Sequence, residues 1–192
     1  MSLPVGIHIE PMRADDEDAL RQAAELLVEG FRDDWPDAWP DFESALAEAR
    51  LCTQGDRSAW VAREEGGRVA GWIGGIRTYD GNVWELHPMV VRAELRGRGI
   101  GRALVEELAM RARAEGAFTL WLGTDDENDG TTLGGVHLYP GILDRLRGIR
   151  NLRNHPFTFY QRMGFEIAGV VPDANGPGKP DILMAMSLIE RP

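Results

Sequence analysis

A chain of 192 residues, 43% hydrophobic and 27% charged, is long enough to bury one core and short for two, so a single domain over residues 1–192 is expected. Its 31 acidic residues against 21 basic ones give a net charge of -10, which repels nucleic acid and anionic membrane and attracts polycationic small molecules. No apolar run approaches a membrane span, Met1 to Pro11 lacks a signal-peptide pattern, and the single cysteine, Cys52, excludes an internal disulfide; together these point to the cytoplasm.

Ile7 to Pro11 reads as a short strand, and Leu20, Ala23, Ala24, Leu27 and Phe31 fall at helical spacing within Asp15 to Phe31. From Arg32 to Phe42, Trp35-Pro36 and Trp39-Pro40 break regular structure and leave two indoles on a loop with Asp33, Asp34, Asp37 and Asp41. Such indoles either plug the core or line a ligand cleft. Glu43 to Leu51 predicts a second helix, with Cys52 as small buried filler at its end. Strands follow at Ala59 to Ala62 and Arg68 to Arg77, a hairpin, and Asp80-Gly81-Asn82 makes the next turn. The strand Val83 to Arg92 carries Pro88, which removes a ladder donor and marks a bulge or an opening in the sheet.

Ile100, Leu104, Leu108 and Ala112 recur every four positions and define an amphipathic helix to Glu115. Phe118 to Leu122 is the next strand, and the strand, helix, strand order implies parallel pairing by a right-handed crossover. Thr124 to His155 is a long polar connection with a short helical piece at Leu143 to Arg150, a length usual for functional or mobile loops. Phe157 to Met163 reads as a helix closed by Gly164; Phe165 to Val171 and Ile182 to Leu188 form an antiparallel pair. The class is α/β (α+β), a mixed twisted sheet flanked by helices. A second acidic cluster, Asp125, Asp126, Glu127 and Asp129, opens the long connection.

The glycine-rich run Arg96-Gly97-Arg98-Gly99-Ile100-Gly101 opens the amphipathic helix, where backbone N–H groups and the positive dipole end favour a bound anion. A Walker loop needs Gly-Lys followed by Ser or Thr, which is absent. A dinucleotide fingerprint begun at Gly97 and Gly99 would need its third glycine where Arg102 stands. The pattern instead resembles the acetyl-CoA pyrophosphate loop of the GNAT acetyltransferase superfamily.

Further segments sharpen the likeness: Trp84-Glu85-Leu86-His87-Pro88, Leu122-Gly123-Thr124-Asp125-Asp126, Gly130-Thr131-Thr132-Leu133, Asn151-Leu152-Arg153, His155-Pro156 and Pro172-Asp173-Ala174-Asn175-Gly176. Together they resemble the aminoglycoside 6'-N-acetyltransferases of the enterococcal chromosomal branch, over nearly the whole span from Trp35 to Met186. The resemblance implies a GNAT fold whose sheet splays at the acetyl-CoA site, acetyl transfer to an aminoglycoside amine, and a homodimer, with no nucleic acid or membrane partner. The chain departs from that branch in its fuller glycine loop, in Met89 where an aliphatic residue is usual, and in Pro177-Gly178 of the last hairpin.

Acetyl transfer to an amine requires that the thioester be held, the amine be made neutral, the oxyanion be stabilised and the thiolate be protonated. The glycine loop from Arg96 to Arg102 answers the first demand, with the backbone of Met89, Val90 and Val91 pairing with the pantetheine arm as an added strand. The N–H of Met89, past Pro88, is the candidate oxyanion donor. Glu85 is the candidate for receiving the amine proton, and His87, two residues on, shares its face and either relays the proton or is structural. Tyr160 is the candidate general acid by resemblance, the alternative being a packed aromatic. Trp35, Asp37, Tyr79, Glu85, Asp125 and Asp126 are the expected acceptor-binding residues. His8, His137 and His155 show no metal-ligand spacing, so no metal is expected. Two other readings stay open: another amine, such as a polyamine or a protein N-terminus, or a non-catalytic module that binds acyl-CoA or the drug.

Overall fold

The computed structural model describes residues 3–33 and 35–189, so Asp34 of the first acidic cluster lies outside the described residues. The chain divides into two compact units, one ending at Leu120 and one starting at Trp121.

The first unit contains β1 (Ile7–Pro11), α1 (Glu17–Phe31), α2 (Phe42–Leu51), β2 (Arg57–Glu64), β3 (Val69–Thr78), β4 (Val83–Val91) and α3 (Ile100–Ala114). Each helix starts where its sequence supplies an acceptor or a glycine. Asp16 caps α1 by accepting from the Ala19 N–H at 2.9 Å, and Asp41 and Ser44 form a reciprocal capping box on α2. β1 to β4 pair in chain order as an antiparallel meander, in which Val61 faces Trp72 and Trp72 faces Val90.

Alternation along β3 separates two faces. Trp72 is fully buried with α1 and α2, and its indole N–H donates to the Ala23 carbonyl at 3.1 Å. Gly75, three residues on, turns to the other face, where a Cβ would meet Leu108 of α3 and Trp84 of β4. The stripe Ile100, Leu104, Leu108 and Ala112 is buried as its spacing requires. A single 3-10 turn, Ala93–Leu95, separates β4 from the glycine loop, and β4 ends one residue before the expected Arg92.

Pro88 marks a bulge, as its chemistry demands. Ile73 faces Met89 while Gly75 faces Leu86, so His87 and Pro88 together oppose Gly74. Only glycine fits there, because a Cβ at Gly74 would fall onto the His87 carbonyl oxygen and 3.3 Å from Cys52 Sγ. Gly74→Ala is expected to cost about 1–3 kcal/mol, as small-to-large changes in packed interiors do. Urea unfolding checks this, with Gly66→Ala as the control because nothing lies within 4 Å of a Cβ at Gly66.

The second unit holds most of β5 (Thr119–Asp125), then α4 (Ile142–Arg147), α5 (Phe157–Arg162), β6 (Glu166–Val171) and β7 (Asp181–Ser187). Its strands lie in the order β5, β7, β6, and β6 pairs antiparallel with β7. The long connection before α5 is tied down by polar contacts. Thr131 and Asn151 form an isolated bridge, the Asn151 amide donates to the His155 carbonyl at 2.7 Å, and the Leu152 N–H donates to the Gly130 carbonyl at 2.8 Å. The α/β class, with seven described strands flanked by helices, is therefore as expected.

Candidate active site

In the first unit the bulge presents Glu85 and His87 on the same face of β4. Trp84 lies on the α3 face, under the Arg77 guanidinium at 4.6 Å, so Glu85 beside it turns away from α3. Glu85 pairs across the ladder with Ile76, and both are half-buried. His87 is half-buried against the end of α2, with Nε2 at 3.7 Å from Glu48 Oε1 and its ring centroid at 6.0 Å from Trp39. Trp39 packs edge-on against Phe31 at 4.7 Å, and Phe31 lies 5.7 Å from Trp35. The two indoles thus share one aromatic wall, and it reaches His87. Trp35 is half-buried, and its indole N–H is inaccessible and has no partner among the described residues. Asp37 is exposed on the same loop, and Tyr79 is exposed with a left-handed backbone, φ +49°.

Met89 faces Ile73 and is half-buried; Val90 is buried with α1 and α2, and Val91 faces Gly71. Beyond them the glycine loop has the conformation an anion cradle needs. Gly97 and Gly99 have φ of +77° and +88°, and a Cβ at Gly97 would meet nothing within 4 Å. Gly99 is the N-cap of α3 and supplies no side-chain acceptor, which leaves the first-turn donors of Ile100, Gly101 and Arg102 uncapped. Arg96 and Arg98 are exposed beside them, Arg96 Nε donating to the Val91 carbonyl at 3.1 Å and Arg102 pairing with Glu106 at 3.4 Å. Uncapped donors on a 15-residue helix, an open glycine backbone and two exposed arginines fit the pyrophosphate of acetyl-CoA.

In the second unit Asp125 and Asp126 have different surroundings despite being neighbours. Asp125 is half-buried; its Oδ1 accepts from the Asn175 amide at 2.5 Å, and its carbonyl lies 3.0 Å from His155 Nε2. Asp126 is only 1% exposed, and its carboxylate accepts from the Gly130 N–H at 2.6 Å, the Thr131 N–H at 2.9 Å and the Thr131 hydroxyl at 2.6 Å. Asp126 therefore folds the loop that follows it instead of standing on an acidic rim. The reason is local: a carboxylate one residue past a strand end is met by two successive loop N–H groups. Tyr160 is buried on α5 between the Phe159 and Phe165 rings, at 5.1 and 5.6 Å, and burial pushes its phenol well above the ordinary range.

Residues 21–139 match the model of the acetyltransferase (GNAT) family. The chain belongs to that family. Among solved structures, this GNAT acetyltransferase is 37% identical to an aminoglycoside 6'-N-acetyltransferase complexed with coenzyme A, over 96% of this chain and 99% of that one, with a TM-score of 0.87. The aminoglycoside 6'-N-acetyltransferase from Enterococcus faecium is likewise 37% identical over 96% and 99%, with a TM-score of 0.85. An aminoglycoside 6'-acetyltransferase type Ii is 31% identical over 96% and 99%, with a TM-score of 0.72. No match was found among curated proteins.

Two residues next to the GNAT candidates escaped the reading of the sequence. Glu48 meets His87 from a helix 39 positions away in sequence, and Asn175 holds Asp125 from the last hairpin. Glu48 carried a faint signal, standing beside the apolar positions Ala45, Leu46 and Ala49 instead of on the exposed side of α2. Cys52 is buried as expected, and burial, followed by the charge of Glu48, pushes its thiol up to about 12. It stays protonated and is no nucleophile. Among the described residues no group of His, Cys, Asp and Glu could hold a metal ion, and no helix is long and apolar enough to cross a membrane.

Proposed function

We propose that this protein acetylates the 6'-amine of aminoglycosides with acetyl-CoA and so confers resistance to them, as one acetyltransferase domain acting as a homodimer in the cytoplasm. The observation that carries the reading is the likeness, at 37% identity over 96% of the chain, to two solved aminoglycoside 6'-N-acetyltransferases. The net charge of -10 supports it, since such a surface lowers the free energy of an approaching polycation.

Acetyl-CoA supplies the thioester that the amine attacks. The loop from Arg96 to Arg102 binds its pyrophosphate through backbone N–H groups, and Met89, Val90 and Val91 offer strand-edge hydrogen bonds to the pantetheine arm. The Met89 N–H stabilises the developing oxyanion. Glu85 binds the reacting ammonium and draws off its proton, and His87 on the same face carries that proton onward. A carboxylate attracts an alkylammonium strongly but takes its proton reluctantly, so holding the cation is the larger part of its work. Tyr160, kept neutral by burial, holds a proton at its hydroxyl for the departing sulfur. Trp35, Asp37, Tyr79 and Asp125 bind the acceptor.

A panel of kanamycin, tobramycin, spermidine and a peptide with a free N-terminus, followed by CoA release from purified protein, tests the substrate class. The aminoglycosides are expected to be turned over at rates of at least about 1 per second, the low end for ordinary enzymes. Turnover of spermidine or the peptide alone would assign another amine. Tight drug binding without turnover would make the protein a sequestering module.

A further inference from the structure

His87 is met at both its ring and its backbone by the last turn and C-cap of α2. Glu48 and Cys52 stand four residues apart on that helix, one helical turn, so both point the same way. Glu48 Oε1 lies 3.7 Å from His87 Nε2, while Cys52 Sγ lies 3.9 Å from the His87 carbonyl oxygen. The same Glu48 oxygen accepts from Arg57 Nη1 at 3.0 Å and from Cys52 Sγ at 3.4 Å. The Glu48 and Arg57 side chains are only 17% and 22% exposed, whereas the His87 side chain is 41% exposed. A shielded carboxylate, fixed by a guanidinium and a thiol, therefore faces Nε2 of an imidazole whose side chain is partly exposed.

We propose that Glu48 is the positioning residue for His87: it orients the ring from the Nε2 side and leaves Nδ1 to take the proton that Glu85 draws from the acceptor. The inference rests on the aminoglycoside reading given above. The step balances as a proton transfer. One N–H bond of the acceptor ammonium breaks and its electron pair stays on nitrogen; the proton passes by way of the Glu85 carboxylate to the Nδ1 lone pair, so an ammonium and a neutral imidazole become an amine and an imidazolium while Glu85 ends as it began. No electron changes hands.

The charged and titratable groups that meet His87 are few. They are Glu48 and Cys52 from α2 and, through Glu48, Arg57 at the start of β2; Trp39 covers the ring from the loop before α2, and Glu85 shares the strand. Arg57 neutralises much of the charge on Glu48, so the carboxylate acts chiefly by orientation and at short range.

The test is a double-mutant cycle on the full-length protein with tobramycin. Glu48→Gln keeps the shape and removes the charge, and it is expected to lower kcat about 10-fold, a part of the span that acid and base groups supply. The KM for acetyl-CoA should stay within about 2-fold. In a His87→Ala background the same change should have no further effect. The nitrogen NMR shifts of the His87 ring should move in Glu48→Gln and stay in place in Cys52→Ala, which disturbs the same turn without removing the carboxylate.

Equal losses in both backgrounds, an unchanged kcat, or unchanged ring shifts would overturn the proposal. Native protein that acetylates no aminoglycoside contradicts the parent reading instead, and the ring shifts then decide the inference alone.

Discussion

Glu85→Gln is expected to lower kcat for aminoglycoside acetylation by about 100-fold while leaving the KM for acetyl-CoA within about 2-fold. The side chain is half-buried on the face of β4 that carries His87, and ladder pairing with Ile76 fixes the direction in which it leaves the strand. Glutamine keeps the volume and one acceptor oxygen but loses the charge that holds an ammonium and attracts its proton. The effect should fall on the chemical step and on the acceptor, because the pyrophosphate of acetyl-CoA is held by a loop that begins eleven residues later, at Arg96. A rise of a few-fold in the drug KM should accompany the loss, in line with removal of one partly exposed charge pair. Steady-state CoA release with both substrates varied provides the numbers. A kcat within about 3-fold of native would remove Glu85 from the chemistry.

The second large effect lies on stability. Asp126→Ala is expected to cost about 3–5 kcal/mol, because three buried donors lose their only carboxylate at about 1–3 kcal/mol each, less what water recovers. Those donors are the Gly130 N–H, the Thr131 N–H and the Thr131 hydroxyl, the last of which also accepts from the Leu133 N–H at 3.0 Å. The loss therefore spreads along the connection to the Thr131 and Asn151 bridge. Asp126→Asn keeps the volume but turns an amide donor toward one of the three, and it should fall between native and Asp126→Ala. Urea unfolding of the three proteins checks the order. A cost below about 1 kcal/mol for Asp126→Ala would mean that the carboxylate does not hold the loop, and its place on an acceptor-binding wall would be restored.

The contrast between Asp125 and Asp126 shows where sequence stops being legible. Periodicity places the strands and helices to within three residues, and the helix from Ile100 more closely, since Ile100, Leu104, Leu108 and Ala112 can be buried together in only one conformation. Pro88 disclosed its bulge because a missing N–H has few places in a sheet. Acidic clustering could not divide the fully buried carboxylate from the half-buried one, since that division depends on which loop N–H groups come round to meet each one. Glu48 is only faintly legible for a related reason. Its partners are Cys52, Arg57 and His87, and only the first is a helical neighbour; the others arrive through strand pairing. The conformation of the glycine loop is legible, because positive φ at Gly97 and Gly99 and an uncapped helix start are properties of the residues themselves.

The most direct measurement of the central claim is the position of the acetyl group on the product. Purified protein, acetyl-CoA and tobramycin, analysed by fragmentation mass spectrometry, are expected to yield a single monoacetylated drug with the acetyl group on the 6'-amine. Acetylation at another amine, or no acetylated drug with CoA release at background, would contradict it.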